Sequence, residues 1–263
     1  MGPLLPPAQQ RPRGGRPRQG DRRAVLQPLL SRNRRGGPWD RLPHDWLPQS
    51  PVDDDVVQGR DDGTWAGGVQ AWRARHRVDA GRAPTPRAAC RESPAVQTTA
   101  MGGPARGSDG GKNMNGRPRP LVGETLGLVM TSVMTRAGLD AGVAARQGLG
   151  PVHPPDVPRL VTILADQQSH QHALDAGMAA QRGGWRIVVN TRPAGTTGVT
   201  PLEKRGVIER THAWPGRDRS NSQDDERSVA SRTAMIQMSP IQLMRNRLAP
   251  CGRPEFHDRK KAA

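Results

Sequence analysis

The sequence predicts an α/β protein, and three observations carry that prediction. The first third shows helix-start signals and helical spacing of apolar residues but no strand pattern. From residue 88 onward short β-compatible runs appear, the clearest being RLVTILAD (159–166) and WRIVVN (185–190). After the last of these runs comes RGVIERTHAWPGRDR (205–219), whose apolar residues return to helical spacing.

Taken in order, Asp21 can cap a helix reaching Leu30, with Pro28 expected to interrupt it. GPWDRLPHDW (37–46) reads as a loop with two Trp and two Pro. Ser50 suits an N-cap and Pro51 the first helical position. Asp53, Asp54 and Asp55 follow, and three acids in a row invite a metal-site reading. Successive helix residues point about 100° apart, however, and acids in a first turn are explained by the helix dipole. RDDGTW (60–65) is a turn before a helix over 66–77, and DAGRAPTPRA (79–88) marks a boundary. AACRESPAVQTT (88–99) reads as a short strand with Glu92 near its end. Residues 102–120 read as a Gly-rich basic loop without the Gly-Lys-Ser/Thr of a Walker motif. PLVGETLGLVMTSVMT (120–135) predicts two strands and a tight turn, 137–157 a loop or short helix, and 159–166 a buried strand ending at Asp166. Residues 173–181 suit a helix ended by Gly183 and Gly184, and 185–190 another strand. In 205–219, Val207, Ile208, Thr211 and Trp214 lie at helical spacings, Glu209 and Arg210 fall on other faces, and Pro215 ends or kinks the helix. Pro240 is expected to break the closing helix over 234–248, and the tail 250–263 to be disordered.

With 40 Lys and Arg against 24 acids in 263 residues, the chain carries a formal charge of +16. A polyanion is the partner such a charge favours, the alternative being a solvated basic surface. No Tyr, one Phe and six scattered Trp make a base-stacking platform a poor reading. Cys90 and Cys251 lack the spacing of a zinc site or a disulfide framework, which fits a reducing cytoplasm. The opening MGPLLPPAQQRPRGG has no apolar run of a signal peptide, and 160–165 is too short to cross a bilayer, so the expectation is a soluble cytoplasmic protein with no membrane partner. His170 and His172 fit a solvated pair better than a metal site, and no Gly-x-Ser-x-Gly nucleophile motif is present.

The 205–219 string resembles the Val-Val-Glu-Arg-Thr-Phe-Ala-Trp-Leu-Gly-Arg signature of DDE transposases of the insertion-sequence-five group. RGGRPR (13–18), LPHDW (42–46) and RDDGTW (60–65) occur in the same order in the helical N-terminal region of that group, and the resemblance spans residues 4–249. It implies a ribonuclease-H-like mixed sheet with flanking helices over 87–249, preceded by a small basic helical N-terminal domain over 1–86 and followed by the tail 250–263. It implies transposition of an insertion sequence: metal-dependent DNA strand cleavage, then strand transfer by the freed 3′-hydroxyl. Residue by residue, the catalytic carboxylates would be Glu92, Asp166 and Glu209, together holding two Mg2+ or Mn2+ ions. Arg205, which accompanies Glu209 in the signature, would contact DNA with Arg210, Arg217 and Arg219. Arg16 and Arg18 lie in a Gly/Pro-punctuated segment that reads equally as a DNA-tracking arm or a plain linker. The implied partners are the element's terminal inverted repeats, target DNA, and further copies of the chain in an active homo-oligomer.

The chain also departs from that group. Glu92 stands for an Asp, which moves its carboxylate by one methylene, and a misplacement of about 1 Å can cost on the order of a hundredfold in rate. Gln167, Gln168 and Ser169 replace Gly-Gly-Tyr, His212 a Phe, Pro215 a Leu, and Glu124 an Asp. Acids and Val at 52–56 stand where aromatics packed. These changes imply decay of the catalytic function. Its alternative is a non-catalytic basic DNA-binding remnant, and beyond that a basic chain without a stable fold.

Overall fold

The computed structural model describes residues 22–43, 45–46, 49–109, 114–139, 141–166, 183–190 and 205–248. Three helices come first: α1 (Arg22–Arg35), α2 (Gln49–Asp61) and α3 (Thr64–Asp79). Each buries one stripe at helical spacing: Val25 and Leu29 on α1, Val52 and Val56 on α2, Trp65 and Val69 on α3. These stripes meet the closing helix α6 (Val229–Leu248) through Ala234, Met235, Met238, Ile241 and Met244. In a chain with one Phe and no Tyr, methionine fills the space between helices.

Neither internal proline breaks its helix. α1 runs through Pro28 to Arg35, and α6 runs through Pro240 to Leu248. A proline inside a helix costs roughly 3 kcal/mol, whereas each fully buried aliphatic side chain contributes about 1.5–3 kcal/mol. Leu29 and Leu30 flank Pro28, and Met238, Ile241 and Met244 flank Pro240, all of them buried, so packing outweighs the lost backbone bond. α2 begins at Gln49, so Asp53, Asp54 and Asp55 fall beyond its first turn, and the helix dipole does not explain them. Asp53 and Asp54 are exposed and Asp55 is buried.

The strands are β1 (Ala88–Glu92), β2 (Ala95–Gln97), β3 (Gly107–Asp109), β4 (Met114–Pro118), β5 (Leu121–Glu124), β6 (Val129–Ser132), β7 (Thr162–Asp166) and β8 (Arg186–Asn190). β1, β5, β6, β7 and β8 form a five-stranded mixed sheet in the order β6-β5-β1-β7-β8. β5 is antiparallel to both β6 and β1, and β7 is parallel to both β1 and β8. The segment expected to be a Gly-rich loop instead holds β3 and β4, which join β2 in a second sheet ordered β2-β4-β3. Gly116 permits that pairing, since a Cβ there would stand 2.1 Å from the Val96 carbonyl oxygen.

One face of the large sheet packs Ala89, Val122, Ile163 and Ala165 under α4 (Ala141–Leu149) and the turn after it, through Leu149, Val152, Val157 and Leu160. The other face presents Cys90, Leu164 and Val188 to Val207 of α5 (Arg205–Ala213). α5 stops before Pro215, which opens a single 3-10 turn, as the proline predicts. The expected helix over 173–181, the His170 and His172 pair, and the tail from 250 lie outside the described residues. No helix among the described residues is long and apolar enough to cross a membrane.

Candidate active site and nucleic-acid interface

Glu92 is the last residue of β1 and Asp166 the last of β7. The two strands are parallel, with Arg91 paired to Ala165, so positions 92 and 166 are the next step of the same register. Two acids thus end adjacent parallel strands at their carboxyl ends. The side chain of Asp166 lies outside the described residues.

Over this edge sits α5. It reaches the sheet so closely that a Cβ on Gly123 would meet Thr211 Cγ2 at 2.7 Å. Thr211 turns its own hydroxyl back to donate to the Val207 carbonyl at 2.7 Å, satisfying its polar atom against the sheet. One residue on, His212 Nε2 approaches Glu92 Oε2 to 3.1 Å. That contact is not an ion pair at neutral pH. Burial first, and the Arg119 charge second, push the imidazole down to about 3. Neither imidazole nitrogen makes an aligned hydrogen bond among the described residues. Arg119 is itself buried and pushed down to about 10, by burial and then by Arg232, while Glu92 favours its charged form.

Glu209 is exposed, on the side of α5 away from Val207 and Thr211. Positions 92 and 166 thus lie side by side at the strand ends, and Glu209 lies on α5. Among the described residues no three His, Cys, Asp or Glu side chains converge as a metal site.

A second feature grows from the end of α5. The Arg210 guanidinium lies 5.6 Å from the Trp214 ring centroid, and the Arg247 guanidinium, from α6, lies 3.8 Å from it. Arg247 is pushed below the usual arginine value by burial, then by repulsion from Arg210 and Arg217. Arg210, Arg217 and Arg247 form no salt bridge with an acid among the described residues. Trp214 can lie this close to the β5–β6 turn because Gly127, at φ 77°, has no Cβ; one there would stand 3.1 Å from the ring. Arg219 is exposed, while Arg16, Arg18 and the side chain of Arg205 lie outside the described residues. Sequence reasoning missed Arg119, His212 as the neighbour of Glu92, and Arg247. The replacement of Phe by His at 212 was visible in the sequence; the carboxylate it approaches was not.

Residues 1–67 match a family model described as "Putative transposase of IS4/5 family". The match covers α1, α2 and the start of α3, and it supports an IS4/5-type transposase. No curated protein matches the chain.

Proposed function

We propose that this IS4/5-type transposase binds the terminal inverted repeats of an insertion sequence and target DNA, cleaves the element's strands and transfers them. The observation that carries the reading is the sheet order β6-β5-β1-β7-β8, which is compatible with a ribonuclease-H-like sheet, with an acid closing each of two adjacent parallel strands. Paired carboxylates at neighbouring strand ends are a hard oxygen donor set suited to Mg2+ or Mn2+. Glu92, Asp166 and Glu209 would hold such ions. Bound there, divalent ions would polarise a phosphodiester and supply an activated water.

The chain's own residues would do the rest. Arg119 adds positive charge beside Glu92, and Arg210, Arg217 and Arg247 would align the backbone phosphates, helped by Arg205, Arg219 and the basic N-terminal region over 1–86. Two DNA ends must be brought together for strand transfer, so the active form would be a homo-oligomer.

One observation favours a second reading, a DNA-binding remnant without catalysis: Glu92 lies against His212 while Glu209 faces solvent. A single experiment separates the two. The full chain is incubated with an inverted-repeat duplex and Mg2+, beside an Asp166→Ala variant. Nicking by the parent that is lost in the variant supports the transposase chemistry. Salt-sensitive binding by both proteins without nicking selects the remnant.

A further inference from the structure

His212 meets Glu92 where α5 crosses the carboxyl end of β1, and the transposase chemistry proposed for the strand ends makes no use of the imidazole. Thr211 is seated against Gly123, whose strand partner is Cys90 of β1. That seat fixes the rotation of α5, so the next residue, His212, falls over the strand end. His212 Nε2 thereby stands 3.1 Å from Glu92 Oε2. The His212 side chain is 12% exposed and that of Glu92 34%, so the pair is covered on the imidazole side and open to solvent on the carboxylate side.

A contact of this length is a hydrogen bond only if the ring N–H axis aims at the oxygen. Neither imidazole nitrogen has an aligned partner among the described residues. Two ligands of one ion behave differently: each aims its lone pair at the ion, so they stand close without aiming at each other. With metal–nitrogen and metal–oxygen bonds of about 2.0–2.2 Å, neighbouring ligand atoms lie about 3.0–3.4 Å apart. The separation of Nε2 from Oε2 falls in that span. A buried imidazole without an aligned partner is also costly, and an ion at Nε2 would relieve part of that cost.

We propose that His212, through Nε2, is a ligand of the divalent ion that Glu92 and Asp166 would hold, and that this nitrogen tilts the site toward Zn2+ over Mg2+. This role for His212 rests on the strand-end acids being the metal site proposed above. Mg2+ is a hard ion that keeps oxygen ligands and water, whereas imidazole suits Zn2+. The Phe that the insertion-sequence-five group carries at this position offers no lone pair, so the preference belongs to this chain. Arg119, whose charge acts on both His212 and Glu92, opposes a cation here and is expected to hold the affinity below that of a structural zinc site.

Zn2+ and Mg2+ are each titrated into the full chain by calorimetry, and the imidazole nitrogens of nitrogen-15 histidine-labelled protein are followed by NMR as Zn2+ is added. Zn2+ is expected to bind at least about tenfold more tightly than Mg2+, with the Nε2 resonance of His212 shifting on binding. His212→Phe keeps a ring in the same space. It is expected to abolish that shift and to weaken Zn2+ by about tenfold or more, while Mg2+ changes by less than about twofold. Glu92→Ala, at a part-exposed position, is expected to reduce the same shift, so the decision does not hang on how well His212→Phe folds. A shift unchanged in either variant, equal affinities for the two ions, or no Zn2+ binding overturns the proposal. Nicking with Mg2+ that depends on Asp166 would stand in each of those cases, so the transposase chemistry is judged separately.

Discussion

The chain handles arginine in two opposite ways. Where α6 begins, Arg117 and Arg232 are almost wholly buried around Asp224, which is also fully buried. Arg117 donates to Asp224 Oδ2 at 3.0 Å and to the Glu226 carbonyl at 3.0 Å, and Arg232 Nε lies 3.6 Å from Asp224 Oδ1. Arg232 also donates to the Ser220 and Gln223 carbonyls. At Trp214, by contrast, Arg210, Arg217 and Arg247 gather without an acid and repel one another. The first arrangement is satisfied from within and ties the small sheet to α6. The second is left unsatisfied on the surface, where a polyanion would complete it. The same residue type is thus structural where it is matched and is left open to a ligand where it is not.

The largest test of this contrast removes the acid of the buried set. Asp224→Ala takes the carboxylate from between two buried cations, leaving them only carbonyl acceptors, and is expected to cost about 3–5 kcal/mol in urea denaturation, a large part of a typical domain's stability. A loss below about 1 kcal/mol would mean that the network holds nothing together.

Next is His212, the neutral group beside Glu92. Its folded value, about 3, lies below the ordinary 6.5, so the folded chain takes up this proton less readily than the unfolded one. Stability from this group is full above about pH 6.5 and falls by roughly 1.4 kcal/mol per unit as pH drops toward 3. Denaturation midpoints of the parent and His212→Phe, compared from pH 7 to 5, should diverge, with the variant losing the steeper slope. Parallel profiles would show that the imidazole charges without penalty.

The smallest effect on stability, and the sharpest on binding, is expected at Arg247. Its contact with Trp214 is worth about 0.5–1 kcal/mol. Arg247→Ala should therefore barely change unfolding, yet lower the slope of log affinity for DNA against log salt by about one. A large loss of stability with an unchanged salt slope would move Arg247 into the structural class.

The local pattern carried most of the large sheet. β5 and β6 with their turn, β7 ending at Asp166, β8, and Glu92 at the end of β1 all follow from short apolar runs bounded by turn residues. The stop of α5 followed from Pro215 alone. What escaped was decided at a distance. Pro28 and Pro240 stay inside helices because side chains far along the chain cover them, and nothing within a few residues of either proline reports that cover. The Gly-rich stretch became β3 and β4 because β4 pairs with β2 across 18 or more intervening residues, and Gly116 leaves room for the Val96 carbonyl, a fit that composition does not reveal. The pairing of Arg117 with Asp224 spans 107 positions, and the 1,3-type run Arg117–Arg119 looked only basic. For the candidate site, the strand ends were legible because they are local, whereas the exposure of Glu209 depends on how Val207 and Thr211 seat α5 against the sheet.

The seat of α5 also covers Cys90, which is 2% exposed and packs with Leu164, Val188 and Val207. A thiol-alkylating reagent can reach that sulfur only after the helix lifts from the strands. The cysteine is thus a natural clock for how often α5 parts from the strands, read from the labelling rate at Cys90 itself.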